Sequence, residues 1–466
     1  MAINYRNIAR NASIALIAQG ITMLVSVVTT LVVPKVLGIE QYGYWQLFLF
    51  YTSYVGFFHL GLNDGVYLVN GGVSRNKIDK SAIKSQFLIG TLFQFAVGTL
   101  ALVVLLLSGF GSERQYIFIC TVIYMVVKNA ALYLGYVFQA INETKLYSIS
   151  CISERCAFVI PLAFLLLRGV AHFEGYVLVL LTSSLVQLVY CCWKARDFLR
   201  APVLGLCDSL ARCVTSVRAG IKLMFANIAS MLILGFARFV IDGVWGIEAF
   251  GKLSLALSLV NFFLAFVTQV SMVLFPELRR VDEVEIKAFY KKIKVVSSRF
   301  LPILYVLHFP LSSLMGMWLP DYAASLQYLV YLLPICVFDA NMNLTSATIF
   351  KVLRQEDKLF RINVLSAGLS IVFATVGAYI FKSVDFVIFG ATISIIWRSV
   401  YSDKVILNEF STDDESRLST KLLLLTGMFM FSSKYLSHML AMALSFISYC
   451  FFVISSGIRT GRSGTH

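Results

Sequence analysis

The chain of 466 residues is 59% hydrophobic and only 14% charged, and its mean hydropathy is +0.81. This composition excludes an ordinary soluble domain and predicts a polytopic membrane protein of the all-α class, because the short alternating strands of a membrane barrel are absent. The formal net charge of +14 comes mainly from basic loops between apolar segments, so no nucleic-acid partner is expected.

Transmembrane helices are predicted along the whole chain. A helix needs about 20 mostly apolar residues to cross a bilayer, and about fourteen segments reach roughly that length. The predicted spans are residues 11–33, 44–69, 84–108, 116–139, 149–167, 175–194, 219–241, 252–275, 295–318, 325–350, 361–381, 385–405, 421–435 and 439–456.

An internal repeat organises these helices. Residues 38–43 (GIEQYG) recur as residues 246–251 (GIEAFG), and residues 143–147 (ETKLY) recur as residues 356–360 (EDKLF). Repeats of this kind indicate two copies of one structural plan. The predicted organisation is two pseudo-symmetric six-helix bundles, residues 1–195 and 219–410, with a cytoplasmic linker at 196–218 and two additional helices and a tail in 411–466.

Each hexapeptide is predicted to lie in the first outer loop of its half. Six helices separate the two copies, so both lie on the same side of the membrane and the repeat is parallel. Gly38 and Gly246 are predicted helix C-caps, and Glu40 and Glu248 favour the positive start of the next helix. We interpret both segments as hinges on the periplasmic side.

The basic residues follow the positive-inside rule when the amino terminus is assigned to the cytoplasm. On this assignment 29 of the 39 Lys and Arg residues lie on the cytoplasmic side, and both termini are cytoplasmic. The basic loops are then topology determinants that also contact anionic membrane lipids. The far side carries only Lys35, Arg114, Arg168, Lys252, Lys382 and Lys434.

Polar side chains run along the first predicted helix, and the seventh helix carries counterparts. Asn227 corresponds to Gln19, Ser230 to Thr22 and Arg238 to Thr30. Two equivalent polar faces predict a shared water-filled cavity between the halves. The alternative is that these groups only join helix to helix, and Arg238 favours the cavity.

The second predicted helix ends in residues 59–65 (HLGLNDG). Gly61 and Gly65 form a small-xxx-small pair, which is a weak signal for close helix contact. Asp64 lies about one turn from the cytoplasmic end of this helix. It can cap the helix, pair with the basic loop that follows or bind a cation.

Two ionisable residues lie near the membrane midplane at nearly equivalent positions of the repeat. Lys128 is central in the fourth predicted helix, and Asp339 has nearly the same depth in the tenth. A charge at this depth costs about 2.5–3.5 kcal/mol on insertion scales, so such residues are usually functional. Lys128 and Asp339 are therefore the strongest site candidates, and the alternative is a buried salt bridge that locks the halves together.

Glu154 and Arg155 lie inside the cytoplasmic boundary of the fifth predicted helix. Neighbouring residues point to different faces of a helix, so these two are not expected to neutralise each other. Arg155 is a candidate for binding an anionic group that enters from the cytoplasm, and the alternative is that it snorkels to the lipid headgroups.

The sequence does not favour an enzyme. It contains no P-loop, no His-Glu-x-x-His and no Cys-x-x-Cys pattern, so we expect no metal, no cofactor and no catalytic residue. The predicted outer loops are short and leave no room for an external catalytic domain. Binding and conformational change, as in a transporter, remain the predicted activity.

The segment 33–43 (VPKVLGIEQYG) and the segment 58–65 (FHLGLNDG) resemble elements of the polysaccharide flippases. These belong to the multidrug/oligosaccharidyl-lipid/polysaccharide exporter superfamily. Residues 274–276 (LFP) and 319–322 (LPDY) are also similar to family elements, so the resemblance spans the chain through short motifs. Asp64 departs from the pattern, since many relatives have a neutral residue there.

The resemblance implies two six-helix bundles around a central cavity and export of a polyprenyl-diphosphate-linked oligosaccharide, such as an O-antigen unit for lipopolysaccharide, across the inner membrane. Polysaccharide assembly proteins are implied partners. Lys128, Arg155 and Arg238 would supply positive charge for the diphosphate, while Asp339 and Asp64 are candidates for ion or proton coupling. Two alternatives are a cation-coupled multidrug exporter of the same superfamily and, further away, a membrane polymerase or glycosyltransferase.

Overall fold

The structure is a computed structural model that describes residues 25–107, 109–278, 283–410 and 416–457. Within these ranges every regular element is a helix, which confirms the predicted all-α class. A helical segment at residues 25–31 precedes the labelled elements. The α-helices are α1 (Val33–Tyr54), α2 (Leu62–Val69), α3 (Lys80–Leu107), α4 (Ser112–Ala140), α5 (Thr144–Leu167), α6 (Phe173–Lys194), α7 (Arg196–Leu199), α8 (Leu206–Leu278), α9 (Glu283–Phe300), α10 (Ile303–Trp318), α11 (Ala323–Leu344), α12 (Ser346–Val352), α13 (Glu356–Tyr379), α14 (Val384–Glu409), α15 (Ser416–Tyr435) and α16 (His438–Gly457).

The chain divides into two compact units, Met1–Ile228 and Ala229–His466. The boundary falls inside α8, because this helix runs without a loop through the end of the first unit. The predicted linker, residues 196–218, contains α7 and the first turns of α8. Helical structure therefore occupies much of the segment that the sequence predicts as a connection.

Ten helical stretches among the described residues are long and apolar enough to span a membrane. Asn227–Ala265 is a single stretch that contains parts of two predicted spans, and α15 does not qualify. Most of the first predicted span, residues 11–24, lies outside the described residues. The structure thus supports a multi-pass membrane protein, with ten candidate spans in the part of the chain that it describes.

The second predicted span, residues 44–69, is not one helix. It is divided into the end of α1, a 3-10 turn at Val55–His59 and the short helix α2. Leu60 and Gly61 separate these elements, and both have left-handed backbone angles, with φ of 51° and 80°. Two consecutive left-handed residues cannot continue an α-helix, so the chain turns here.

The repeated hexapeptides mark the same backbone break in both units. Gly38 has φ 72° and ψ 174°, and Gly246 has φ 78° and ψ −173°, while helix continues on either side of each glycine. Only glycine adopts such angles readily. The predicted outer loops are thus reduced to one residue each, and the helical axis kinks there without a connecting segment.

The second sequence repeat also has a backbone counterpart. Asn142 and Arg354 are left-handed, with φ of 62° and 55°. The amide of Glu143 donates to the Phe138 carbonyl at 2.8 Å, and that of Gln355 donates to Phe350 at 2.7 Å. These bonds end α4 and α12 in the same Schellman-type turn and align Glu143 with Gln355, one residue before its partner in the sequence repeat.

Glycines bring α2 against the start of α8 within the first unit. A Cβ atom on Gly65 would lie 1.7 Å from the carbonyl oxygen of Ser216, and one on Gly220 would lie 2.1 Å from the carbonyl oxygen of Gly61. The two backbones therefore touch directly. The small-xxx-small pair of Gly61 and Gly65 forms the close helix contact that the sequence suggests.

Candidate functional site

Lys128 is the centre of a polar cluster inside the first unit. Its ammonium donates to Glu154 Oε1 at 2.6 Å and to Gln187 Oε1 at 2.8 Å. The three residues come from α4, α5 and α6. The Lys128 side chain is 16% exposed and that of Glu154 is 8% exposed, so an ion pair lies in a mostly apolar surrounding with the lysine partly accessible.

The residue after Lys128 joins this cluster to the broken second span. Asn129 Nδ2 donates to the Val55 carbonyl at 2.8 Å, and Asn63 Nδ2 donates to the Asn129 carbonyl at 3.3 Å. Val55 begins the 3-10 turn after α1, and the buried amide of Asn129 binds its carbonyl. Lys128 is thus held on a helix that is fixed to two neighbouring elements.

Asp339 occupies the corresponding helix of the second unit. It forms an ion pair with Arg398 of α14 and accepts a hydrogen bond from Asn343 Nδ2 at 3.1 Å. Arg398 also donates to Ser230 Oγ at 2.9 Å. This ion pair joins α11 to α14, and the bond to Ser230 extends the contact to α8. The side chain of Asp339 is 17% exposed and that of Arg398 is 8% exposed.

The two ion pairs involve corresponding helices but not corresponding residues, since Lys128 aligns with Ala340 and the partners Glu154 and Arg398 lie on helices α5 and α14, which are not counterparts. The Schellman-type turns make α11 the counterpart of α4, and they align Asn341 with Asn129. In the first unit this helix carries the cation, whereas in the second unit it carries the anion. A bridge between Lys128 and Asp339 stays a prediction, and each residue has an ion-pair partner within its own unit.

The two predicted arginines occupy different surroundings. Arg155 is half-buried on α5 and forms no ion pair in the part of the chain that the structure describes. Arg238 donates to Ser254 Oγ at 3.0 Å, and its guanidinium carbon lies 4.9 Å from the centre of the Phe250 ring. Phe250 belongs to the second hexapeptide, so Arg238 packs across the kink at Gly246. A cation over an aromatic face is attracted to it.

Asp64 lies in the first turn of α2, where the helix dipole favours a carboxylate. Its Oδ2 atom is 3.9 Å from His59 Nε2, and His59 Nδ1 accepts from the Gly61 amide at 3.0 Å. The structure therefore brings Asp64 to the turn before its own helix. Among the described residues, no group of three or more His, Cys, Asp or Glu side chains is placed to hold a metal ion.

A separate ion-pair cluster joins the loops at one end of the first unit. Arg75 pairs with Glu143 and lies 2.6 Å from Asp197 Oδ1, and Lys80 Nζ is 2.9 Å from Asp197 Oδ2. Burial alone would raise the pKa of Asp197, but hydrogen bonds from Arg75 and Lys80 outweigh it and hold this pKa well below its usual value. The hydrogen bond to Asp197 raises the pKa of Arg75 despite desolvation, and Glu143 adds to the effect.

A second buried ion pair in the second unit was not predicted from the sequence. Lys294 of α9 pairs with Asp403 of α14, and their side chains are only 2% and 5% exposed. The sequence assigned Lys294 to a basic cytoplasmic loop before a helix at 295–318. The loop placement is wrong, because α9 begins at Glu283 and includes this lysine, which is buried within the second unit.

The long apolar helices define a multi-pass membrane protein. A family model described as polysaccharide biosynthesis protein matches residues 8–281. The chain belongs to this family, as its resemblance to the polysaccharide flippases predicts. No curated protein matches the sequence.

Solved structures give the same fold. The chain is similar to a lipid II flippase, MurJ, in an inward closed conformation, with a TM-score of 0.66 and 11% identity over 94% of this chain and 97% of that one. It is also similar to an inward-facing multidrug resistance MATE family transporter of the MOP superfamily, with a TM-score of 0.52 and 14% identity over 86% of this chain and 99% of that one. At these identities the likeness concerns the fold.

Proposed function

We propose that the protein is a flippase that moves a polyprenyl-diphosphate-linked oligosaccharide, such as an O-antigen repeat unit, across the cytoplasmic membrane by alternating access. Membership of a polysaccharide biosynthesis family supports a saccharide substrate. The flippase-like fold supports a lipid-linked one, because lipid II in the similar protein's name is such a lipid. Both termini lie in the cytoplasm in this proposal, as the basic loops predict.

The observation that carries the proposal is the ion pair of Lys128 inside the first unit. Its ammonium is bound by one carboxylate and one amide and remains partly exposed. A diphosphate offers several anionic oxygens and can take the place of Glu154 in binding this cation. The displaced Glu154 would then be a buried carboxylate without its cation, so the exchange requires Glu154 to gain water or a proton as the substrate binds.

The remaining site residues have supporting roles in the proposal. Arg155 has no ion-pair partner among the described residues and can approach an anionic headgroup, and Arg238 adds positive charge beside the Gly246 kink. Asp339 and Asp64 are the proposed ion-coupling carboxylates. Asp339 would exchange its arginine partner for a cation during the cycle, and Asp64 would bind a cation beside His59.

A cation-coupled multidrug exporter is the second candidate, because the MATE transporters share this fold. Such an exporter needs an anionic interior to attract cationic drugs, and the second unit does carry Asp339 and Asp403 inside. Both carboxylates are paired with a basic side chain, as is Glu154. The half-buried Arg155, in contrast, has no ion-pair partner among the described residues, so its positive charge favours the anionic substrate.

The test is reconstitution of the full chain in liposomes. A polyprenyl diphosphate with a fluorescent oligosaccharide is added, and a membrane-impermeant reagent quenches the label on the outside. In protein-free liposomes only the label in the outer leaflet is quenched. In liposomes that contain the protein we expect a larger fraction of the label to be quenched. The matching neutral polyprenol saccharide should not move. Movement of the neutral lipid at the same rate, or transport of ethidium without movement of the diphosphate lipid, would overturn the proposal.

A further inference from the structure

The ammonium of Lys128 binds two acceptors of different chemistry. Glu154 of α5 offers a carboxylate at 2.6 Å, and Gln187 of α6 offers the oxygen of a neutral amide at 2.8 Å. The side chain of Lys128 is 16% exposed, whereas Gln187 is only 1% exposed. The amide is therefore more buried than the cation that it binds.

The orientation of the Gln187 amide follows from its neighbours. An ammonium group can only donate hydrogen bonds, so the amide oxygen must face Lys128. The amide nitrogen then points to α5, where it lies 3.5 Å from Ser150 Oγ and 3.9 Å from Cys151 Sγ. Ser150 Oγ is free to accept, because it donates its own proton to the Tyr147 carbonyl at 2.7 Å. Gln187 is thus oriented as an acceptor for the lysine.

The two acceptors respond differently to an incoming anion. A diphosphate competes with the Glu154 carboxylate, because both are anions that bind the same ammonium. The Gln187 amide is neutral and takes only one of the three ammonium protons, so it does not have to leave when the anion is exchanged. Lysine has a long flexible stem, and a fixed acceptor for its ammonium reduces the conformational freedom that is lost when a ligand binds.

The second unit fills the corresponding positions without any charge. Helices α5 and α13 have the same length of 24 residues and begin at aligned positions, so Glu154 aligns with Ser366. The Schellman-type turns align Lys128 with Ala340. Ser366 and Ala340 are both fully buried. The same architecture therefore packs without an ion pair at this place, which points to a role in binding for the polar groups around Lys128.

We propose that Gln187 is a positioning residue, which holds the Lys128 ammonium while the anion bound to it changes from Glu154 to the diphosphate of the substrate. This role rests on the proposed function, since it concerns the same cation. In the free protein Lys128 joins α4 to both α5 and α6. When the substrate binds, the link to α5 opens and the amide keeps α6 attached to α4.

Three variants separate positioning from simple support of the fold. Gln187→Met keeps the approximate shape of the side chain and removes the acceptor, while Gln187→Glu keeps an acceptor and adds a negative charge. Gln86→Met is the matched control. Gln86 is also buried, and it accepts a 2.9 Å hydrogen bond from Ser216 Oγ that joins α3 to α8 and has no part in the proposed site.

The first test measures the rate of transport against the concentration of the diphosphate lipid in liposomes. Gln187→Met should raise KM about tenfold, the effect of one hydrogen bond to a charged group, and leave kcat nearly unchanged. Gln187→Glu should raise KM further, because a second carboxylate repels the diphosphate. Gln86→Met should keep the native KM even where its thermal stability falls. A native KM in Gln187→Met, or an equal rise in Gln86→Met, would overturn the proposal.

The second test needs no substrate. Solid-state NMR of the full chain in lipid bilayers, with isotope-labelled lysine and glutamine, detects the dipolar coupling between Lys128 Nζ and Gln187 Cδ, which is assigned by its loss in Gln187→Met. The variant Glu154→Ser imitates the state in which the carboxylate has left Lys128, and it uses the residue that the second unit has at this position. The coupling should persist in Glu154→Ser, and its loss there would contradict the role of Gln187.

The proposed function and the role of Gln187 fail through different results. If the diphosphate lipid does not move while the coupling persists in Glu154→Ser, the proposed substrate is wrong and Gln187 remains the fixed partner of Lys128. If the lipid moves and the coupling is lost in Glu154→Ser, the flippase stands and the positioning role is wrong. Addition of the diphosphate lipid to the native protein should remove the coupling of Lys128 to Glu154 and preserve that to Gln187, and the reverse would exclude the proposed role.

Discussion

The ammonium of Lys128 and the carboxylate of Glu154 form a 2.6 Å hydrogen-bonded ion pair between α4 and α5, inside a unit built almost entirely of apolar helices. Neither group has another charged partner of opposite sign in the described residues. A substrate that binds Lys128 must therefore compete with Glu154. Binding and rearrangement of this helix pair are consequently linked.

We predict that Lys128→Ala abolishes export while the protein still inserts in the membrane. This variant leaves Glu154 as an unpaired buried charge, which costs about 3–5 kcal/mol, so reduced stability accompanies the loss of activity. Surface polysaccharide and the amount of protein in the membrane measure the two effects separately.

The double variant Lys128→Met with Glu154→Gln separates stability from transport. Without charges the pair packs as neutral groups, and we expect the thermal stability to return to about the native level. Export should stay lost if Lys128 binds the substrate. The exposed Lys145→Ala serves as control and should export normally. Normal surface polysaccharide in the Lys128 variants would contradict the assigned role.

A second prediction concerns the relation between Lys128 and Asp339. Because each has a partner in its own unit, Lys128→Ala and Asp339→Ala should reduce stability additively, and their combination should rescue neither. Asp339→Ala with Arg398→Ala should instead recover stability relative to Asp339→Ala, since no unpaired charge remains. Rescue in the Lys128 and Asp339 combination would reveal the bridge between the halves, and a double-mutant cycle on thermal unfolding provides the measurement.

The fold class and the repeat could be predicted because both depend on patterns within short segments of the sequence. Long apolar segments give helices, and the matching hexapeptides mark equivalent breaks at Gly38 and Gly246. The continuity of the chain through these breaks could not be predicted. A single residue with positive φ interrupts a helix as completely as a loop does, and hydropathy does not distinguish the two cases.

The candidate site was predicted only in part. Depth in a helix identifies Lys128 and Asp339, but partners depend on how the helices rotate against each other, which no sequence spacing records. Glu154 was considered beside Arg155 although it faces α4. The burial of Lys294 was not predicted for a different reason. The basic residues around it lower the local hydropathy, so the predicted helix begins at residue 295, after this lysine, whereas α9 begins at Glu283.

A third prediction tests the kink in the second hexapeptide. A Cβ atom at position 246 meets no other atom within 4 Å, so any effect of Gly246→Ala comes from the backbone angle. An alanine with φ near 78° and ψ near −173° occupies a region that is essentially restricted to glycine and costs about 1–3 kcal/mol. The control is Gly243→Ala, which also meets nothing within 4 Å but has no positive φ, and it should be neutral or slightly stabilising. Equal thermal stability of the two variants would contradict the kink.

The last prediction concerns the loop cluster of Arg75, Glu143 and Asp197. The pKa of Asp197 is lowered in the folded protein, so this carboxylate binds a proton more strongly in the unfolded chain than in the folded one. The stabilisation is then complete above the unfolded pKa of about 3.9 and is lost as the pH falls below that value towards the folded pKa. Arg75→Met should remove most of this pH-dependent stability.

At neutral pH we expect Arg75→Met to lower the unfolding free energy by about 1.5–3 kcal/mol, the usual value of hydrogen bonds to charged groups. The difference from the native protein should shrink below about pH 4, because protonated Asp197 no longer gains from the guanidinium. Lys77→Met, at an exposed site in the same loop, should change stability little at either pH. Thermal unfolding in detergent from neutral to acidic pH measures all three proteins. A difference that stays constant with pH would mean that Arg75 acts through packing on Phe198, 4.8 Å from its guanidinium carbon, and not through Asp197.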